Sequence, residues 1–214
     1  MYQNLRKYFK RIGFHSGDRA VYQYALCRIK IELPNGKHIH HAMSLLWWAM
    51  ANNPEESEAG HLLLEIQLMI GWNAEALQLA EKLLTKDAND IFVLRVKSVA
   101  IRRRGDQSDL LKSLETIRIV TEKLDSDDII AHELQMSLMY QLNSLNVTGF
   151  RDDVLIEHAI TLVDQNPGDI RYRMIEARTY LILSHNNVET GDKFHEMALG
   201  KYSHLAQDAI SDPL

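Results

Sequence analysis

Ala42-Met43-Ser44-Leu45-Leu46-Trp47-Trp48-Ala49-Met50-Ala51-Asn52-Asn53-Pro54 is the stretch that decides the fold. Ala42, Leu46 and Ala49 recur at steps of four and three, so they share one face of a helix. The two alanines let a neighbouring backbone approach, and the leucine fills the hole opposite. Asn52-Asn53-Pro54 then stops the helix, because proline lacks the N–H and its ring clashes with the preceding turn. Trp47 and Trp48 stand about 100° apart around this helix, so one buried face cannot take both. A tryptophan left in solvent is a favoured contact residue, which makes Trp47 and Trp48 candidate interface residues.

The same pattern runs outward from this stretch. Ala76, Ala80 and Leu83 repeat the spacing and end at Ala88, and the helix-ending turns at Pro54, Ala88, Asp127 and Pro167 are 34, 39 and 40 residues apart. Other helices pair a small residue with a larger one three positions on: Ser98 with Ile101, Ser137 with Tyr140, Ala177 with Tyr180. Apolar periodicity predicts helices over 2–12, 18–31, 38–51, 55–70, 74–85, 91–103, 108–124, 129–145, 151–165, 170–184 and 192–208, with no sustained strand-like alternation. Aspartates in the turns 125–128 and 152–153 are expected to cap the helices that follow. The arginine run before Gly105 suits a helix C-terminus, where cations face the dipole and glycine takes the left-handed position.

Over roughly residues 38–184 these features resemble the tetratricopeptide family, whose unit of about 34 residues is a pair of helices that cannot bury its apolar faces alone. The resemblance implies an all-α fold of antiparallel helix pairs stacked as a right-handed superhelix, an α-solenoid. As one domain it would comprise capping helices in 1–37, repeats in 38–184 and a capping helix in 185–214. It also implies a non-catalytic scaffold that binds a protein or peptide in a concave groove. A second resemblance covers residues 17–84, through Gly36, Ala42, Leu45-Leu46, Asn53-Pro54 and Ile70-Gly71-Trp72-Asn73-Ala74-Glu75. It is to the helical dimerisation domain of alkyl sulfatases, where the domain accompanies a zinc-dependent catalytic domain. The H-x-H-x-D-H metal motif of that catalytic domain is absent here, so the implied role is self-association as a homodimer, not hydrolysis.

Composition excludes several other classes. The 214 residues are 46% hydrophobic and 25% charged, a globular balance. Lys and Arg number 24 against 29 Asp and Glu, a net charge of −5 that argues against a nucleic-acid partner. The single Cys27 forbids an internal disulfide framework and a multi-cysteine zinc site, and among Ala25, Leu26 and Ile29 it reads as a small core residue. The longest apolar run, 45–51, falls far short of the roughly 20 residues that span a bilayer. No secretory signal is legible at the start, so a cytoplasmic location is expected. The basic, amphipathic segment 2–12, with Arg6, Lys7, Lys10 and Arg11, has the character of a membrane-surface helix, but folding onto the first repeat is the expected fate.

Catalytic chemistry has little to stand on. His38 and His41 would share a helix face at a spacing that can chelate zinc, with His40 between them, yet no carboxylate follows within the next turn. His132-Glu133 and His195-Glu196 begin the zincin pattern, but Met136 and Leu199 occupy the place of its second histidine. No nucleophile elbow, phosphate-binding loop or dinucleotide fingerprint is present, the 125–128 run lacks the spaced ligands of a calcium loop, and Arg104-Gly105-Asp106 marks a helix end. Neither a cofactor nor a metal is expected. The arginines are better placed: Arg95 and Arg102 are seven apart, as are Arg171 and Arg178, so each pair lines one helix face. Counted from the repeat-ending turns, both pairs fall on the groove-lining face, together with His61, Glu65 and Gln141. Guanidinium forks bind carboxylates bidentately, so the expected ligand is an acidic peptide or the C-terminal carboxylate of a partner.

Overall fold

The computed structural model describes residues 39–52, 54, 57–186 and 190–211. The segments predicted as helices over 2–12 and 18–31, and with them Cys27 and His38, lie outside the described residues. Among those described every regular element is helical. The chain divides into two compact units, Met1–Arg103 and Arg104–Leu214.

The first unit contains α1 (Ile39–Asn52), α2 (Glu58–Met69), α3 (Asn73–Leu84) and α4 (Ile91–Arg102). Each packs on the next, and α2 also packs on α4. The small–large–small face of α1 is the buried one: Ala42, Leu46 and Ala49 are at most 1% exposed. They join Leu63 and Leu64 of α2, Ala76, Ala80 and Leu83 of α3, and Val93, Val96 and Ala100 of α4 in one core. Truncating a leucine as deep as Leu46 to alanine costs about 2–5 kcal/mol, because transfer and cavity terms add. Helix α2 ends in a Schellman motif. Trp72 N–H reaches back to Gln67 O (2.8 Å) and Gly71 N–H to Leu68 O (3.2 Å), with Gly71 at φ 81°. Helix α4 is opened by Asp90, whose side chain accepts from Val93 N–H.

The second unit contains α5 (Gln107–Ile119), α6 (Ile129–Ser144), α7 (Asp152–Gln165), α8 (Ile170–Asn186) and α9 (Gly191–Ser211). Helix α8 packs against α6, α7 and α9, so it is the hub of the unit. Its close approach to α9 depends on Gly191, where a Cβ would stand 2.7 Å from Ser184 O. The regular helix expected to run to 124 instead closes in a single π turn, Val120–Leu124, through Asp125 N–H to Val120 O (2.9 Å). The wider turn buries both Val120 and Thr121, and Thr121 Oγ1 donates to Gln135 Oε1 of α6 at 2.8 Å. Asp128 caps α6 through Ile130 and Ala131, as the turn aspartates were expected to do. Helix α7 departs from that expectation. Arg151 stands at its N-cap and its side chain makes no capping bond, while Asp152 accepts from Asn143 (3.0 Å) and Asp153 pairs with Arg151 (2.7 Å). The arginine beside Asp153 offers its carboxylate a closer cationic partner.

Candidate interaction faces

In the first unit the half-exposed stripes of α2 and α4 carry His61 and Glu65 on one helix and Arg95 and Arg102 on the other. His61 is held twice. Its Nε2 donates to Asp90 Oδ2 at 2.7 Å, and its ring stacks on Phe92 with centroids 4.4 Å apart and planes 30° apart. One carboxylate therefore opens α4 and ties it to α2. Glu65, a turn beyond His61, is exposed. Arg95 and Arg102 are half-buried and both are engaged by other groups of the protein. Burial, and then the neighbouring Arg103 charge, lower the pKa of Arg102. Arg103, legible in the sequence only as a helix-ending cation, donates from Nη1 to Leu68 O at the end of α2 and lies 3.4 Å from Asn73 Oδ1.

On α1, Trp47 is 42% exposed, whereas Trp48 lies partly buried against the core. Trp72, in the α2–α3 turn, is 40% exposed and its ring centroid is 6.1 Å from that of the exposed His40. The side chain of His41 lies outside the described residues. Among the described residues no three His, Cys, Asp or Glu side chains are grouped to hold a metal ion.

In the second unit, α8 presents Arg171, Met174 and Arg178 along one exposed stripe at steps of three and four. The two arginines are not equivalent. Arg171 forks onto Asp169 through Nε (3.0 Å) and Nη2 (2.6 Å). The guanidinium holds the Asp169 carboxyl below its usual range, and the carboxylate raises the arginine's pKa in turn. Arg178 is exposed and has neither ion pair nor hydrogen bond among the described residues. It lies close enough to the half-buried Tyr140 of α6 to act on that phenol electrostatically. The Tyr140 hydroxyl meets Thr179 Oγ1 at 2.8 Å, and burial raises its pKa. Gln141, next along α6, is half-buried and engaged. Met174, 51% exposed between the arginines, gives the stripe an apolar centre that the charge spacing alone did not reveal.

This architecture is the tetratricopeptide-like helical repeat, an all-α fold of stacked helix pairs. Three solved structures share it. The MamA protein is 14% identical, with 87% of this chain and 94% of that one covered at a TM-score of 0.61. TTC0263, a thermophilic TPR protein in Thermus thermophilus, is 18% identical, with 89% and 93% covered and a TM-score of 0.59. YrrB, a TPR protein with an unusual peptide-binding site, is 15% identical, with 97% and 98% covered and a TM-score of 0.60. No protein-family model and no curated protein matches this sequence. No described helix is long and apolar enough to cross a membrane.

Proposed function

We propose that this protein is a non-catalytic, cytoplasmic scaffold that recruits a protein or peptide partner on the helix faces carrying His61, Glu65, Arg95 and Arg102 in the first unit, and Gln141, Arg171 and Arg178 in the second. The observation that carries the reading is the exposed Arg178, unpaired among the described residues and one turn from the exposed Met174. A cation beside an apolar side chain suits a segment whose carboxylate, in a side chain or at a C-terminus, adjoins an apolar residue. The fold shared with YrrB, a protein described by its peptide-binding site, supports the same reading.

The test uses fluorescently labelled peptides of alternating Glu and Leu, with Gln-for-Glu and C-terminally amidated versions as controls. Fluorescence anisotropy should show binding that weakens several-fold in Arg178→Ala and in the double variant Arg95→Ala/Arg102→Ala, while circular dichroism remains that of the parent. Equal affinity for the Gln peptide, or for every variant, would refute an acidic ligand.

A second reading, self-association like that of the alkyl sulfatase dimerisation domain, is favoured by the exposure of Trp47. Light scattering across a concentration series decides it. A mass near 24.7 kDa discounts the dimer, whereas twice that mass, lost in Trp47→Ser, establishes it.

A further inference from the structure

The charges of the second unit are sorted along the α6/α8 pair. The two helices run parallel, because their contacts advance together. The His132 ring meets Tyr172 edge-on with centroids 5.7 Å apart, and further along the Tyr140 hydroxyl meets Thr179 Oγ1 at 2.8 Å. Both helices therefore open at the same end. His132 joins the two openings: its Nε2 donates to Ser126 O (2.7 Å) in the turn before α6, while its ring touches the first turn of α8.

At that end Asp125, Asp127 and Glu133 are exposed, and none has an ion pair among the described residues. Asp169 is balanced by Arg171, and the exposed Lys123 of the π turn offsets one carboxylate, so an acidic excess remains. The Tyr172 hydroxyl, buried without a hydrogen bond, lies within electrostatic reach of Asp127, Asp169 and Asp125, a neutral group that leaves their charge uncompensated. The rest of the pair is different. From 134 to 144 α6 has no formally charged residue, and from 177 to 186 α8 has only Arg178. The exposed stripes lie side by side, since Glu133 acts electrostatically across the pair on Arg171, and Arg178 on Tyr140. Between the two ends the stripes present Ile130 of α6 and Met174 of α8, each more than half exposed.

We propose that this face takes an extended partner segment charged at both ends, with a lysine or arginine against Asp127 and Glu133, an apolar residue against Ile130 and Met174, and a carboxylate on Arg178. The proposal rests on the binding face described under the proposed function and adds a cation to its ligand. A wholly acidic segment that reached Arg178 would lie beside unpaired carboxylates, and like charges brought together oppose binding. A segment with its own cation turns the same carboxylates into partners. The contacts above set Glu133 level with the residue after Tyr172, five residues before Arg178. That is about 7.5 Å along the axis, and neighbouring helix axes stand about 8–10 Å apart. The two charges are thus separated by roughly 11–13 Å, which an extended chain covers in about three or four residues.

The probes are labelled peptides, acetylated and amidated, that carry Lys-Leu-Leu-Glu or the reverse order between neutral residues, with Gln-for-Lys controls. Fluorescence anisotropy with the full chain at low salt should show one lysine peptide binding about two- to fivefold tighter than its control, the size of a screened surface pair. The double variant Asp127→Asn/Glu133→Gln should erase that preference. Asp192→Asn/Glu196→Gln, which removes the same charge from the exposed side of α9, should keep it. Equal affinity of lysine and glutamine peptides in both orders, or a lysine preference that survives Asp127→Asn/Glu133→Gln, overturns the proposal. Should that variant not fold, Glu133→Gln alone decides, because an undiminished preference overturns the proposal too. Loss of affinity in Arg178→Ala without any lysine preference leaves the binding face standing and removes only the cation. Binding indifferent to Arg178→Ala, or no binding of any peptide, overturns the face and this inference with it. A dimer in light scattering that Arg178→Ala abolishes would put a second copy of this chain on the face and overturn the partner segment.

Discussion

Asp90→Ala should remove two interactions with one substitution. Oδ1 of Asp90 caps α4 through Val93 N–H at 3.1 Å, and Oδ2 accepts from His61 at 2.7 Å. An N-cap aspartate replaced by alanine costs about 1 kcal/mol. The His61 bond adds roughly another 1 kcal/mol, given side chains only 25% and 15% exposed. The expected loss is therefore about 2 kcal/mol. Asp90→Asn should cost half of that or less, because asparagine caps as well as aspartate and keeps an acceptor towards His61. His61→Phe should cost about 1 kcal/mol, since the stack on Phe92 survives and the hydrogen bond does not.

The assay is built into the sequence. All three tryptophans, Trp47, Trp48 and Trp72, lie in the first unit, so urea unfolding followed by tryptophan fluorescence reports on that unit alone. With a slope of about 1–3 kcal/mol per molar urea, the alanine variant's midpoint should fall by about 1 M. The cycle of Asp90→Ala and His61→Phe should show a coupling of roughly 1 kcal/mol. A coupling near zero, or Asp90→Asn as costly as Asp90→Ala, would refute the shared role of this carboxylate.

Two further outcomes follow from backbone and burial. Gly71→Ala should cost about 1 kcal/mol by the same fluorescence assay: Gly71 sits at φ 81° with nothing within 4 Å of an added Cβ, so the penalty is purely conformational. Tyr172→Phe should leave the second unit unchanged or more stable by up to about 1 kcal/mol, because it deletes a buried hydroxyl that satisfies nothing. Thermal unfolding by circular dichroism checks this, and a clear loss of stability would reveal a partner for that hydroxyl.

The fold was legible because it is written in sizes. Ala42, Leu46 and Ala49 announced a packed face, and Ala177 with Tyr180 did the same far along the sequence. All five are 3% exposed or less. Helix ends were legible in part, through Gly105 at φ 93° and Asp128, since those residues act on the adjacent backbone, whereas Asp152 and Asp153 are engaged elsewhere. What the sequence hid were effects that need a distant group. His132 reads as a polar helix residue, and only the fold of the 125–128 turn, which brings Ser126 O onto its ring, makes it a core residue. The π turn is equally silent, because Thr121 and Gln135 lie fourteen positions apart.

The arginine spacing illustrates the limit most sharply, because a spacing speaks to a shared helix face and is silent on which groups already hold each side chain. Seven residues do put Arg171 and Arg178 on one stripe, but availability depends on what else is near. Asp169 is two residues before Arg171, in the turn that opens α8, and its carboxylate takes both arms of the fork. Any ligand carboxylate at Arg171 must displace an intramolecular one, which offsets most of the small gain from a solvent-screened surface pair. Arg178 sits in mid-helix, exposed and with no such competitor among the described residues. The two positions should therefore separate under mutation: Arg178→Ala should weaken an acidic peptide more than Arg171→Ala, and Asp169→Asn should strengthen it by releasing Arg171. The opposite order would mean that the Asp169–Arg171 pair is itself the docking element.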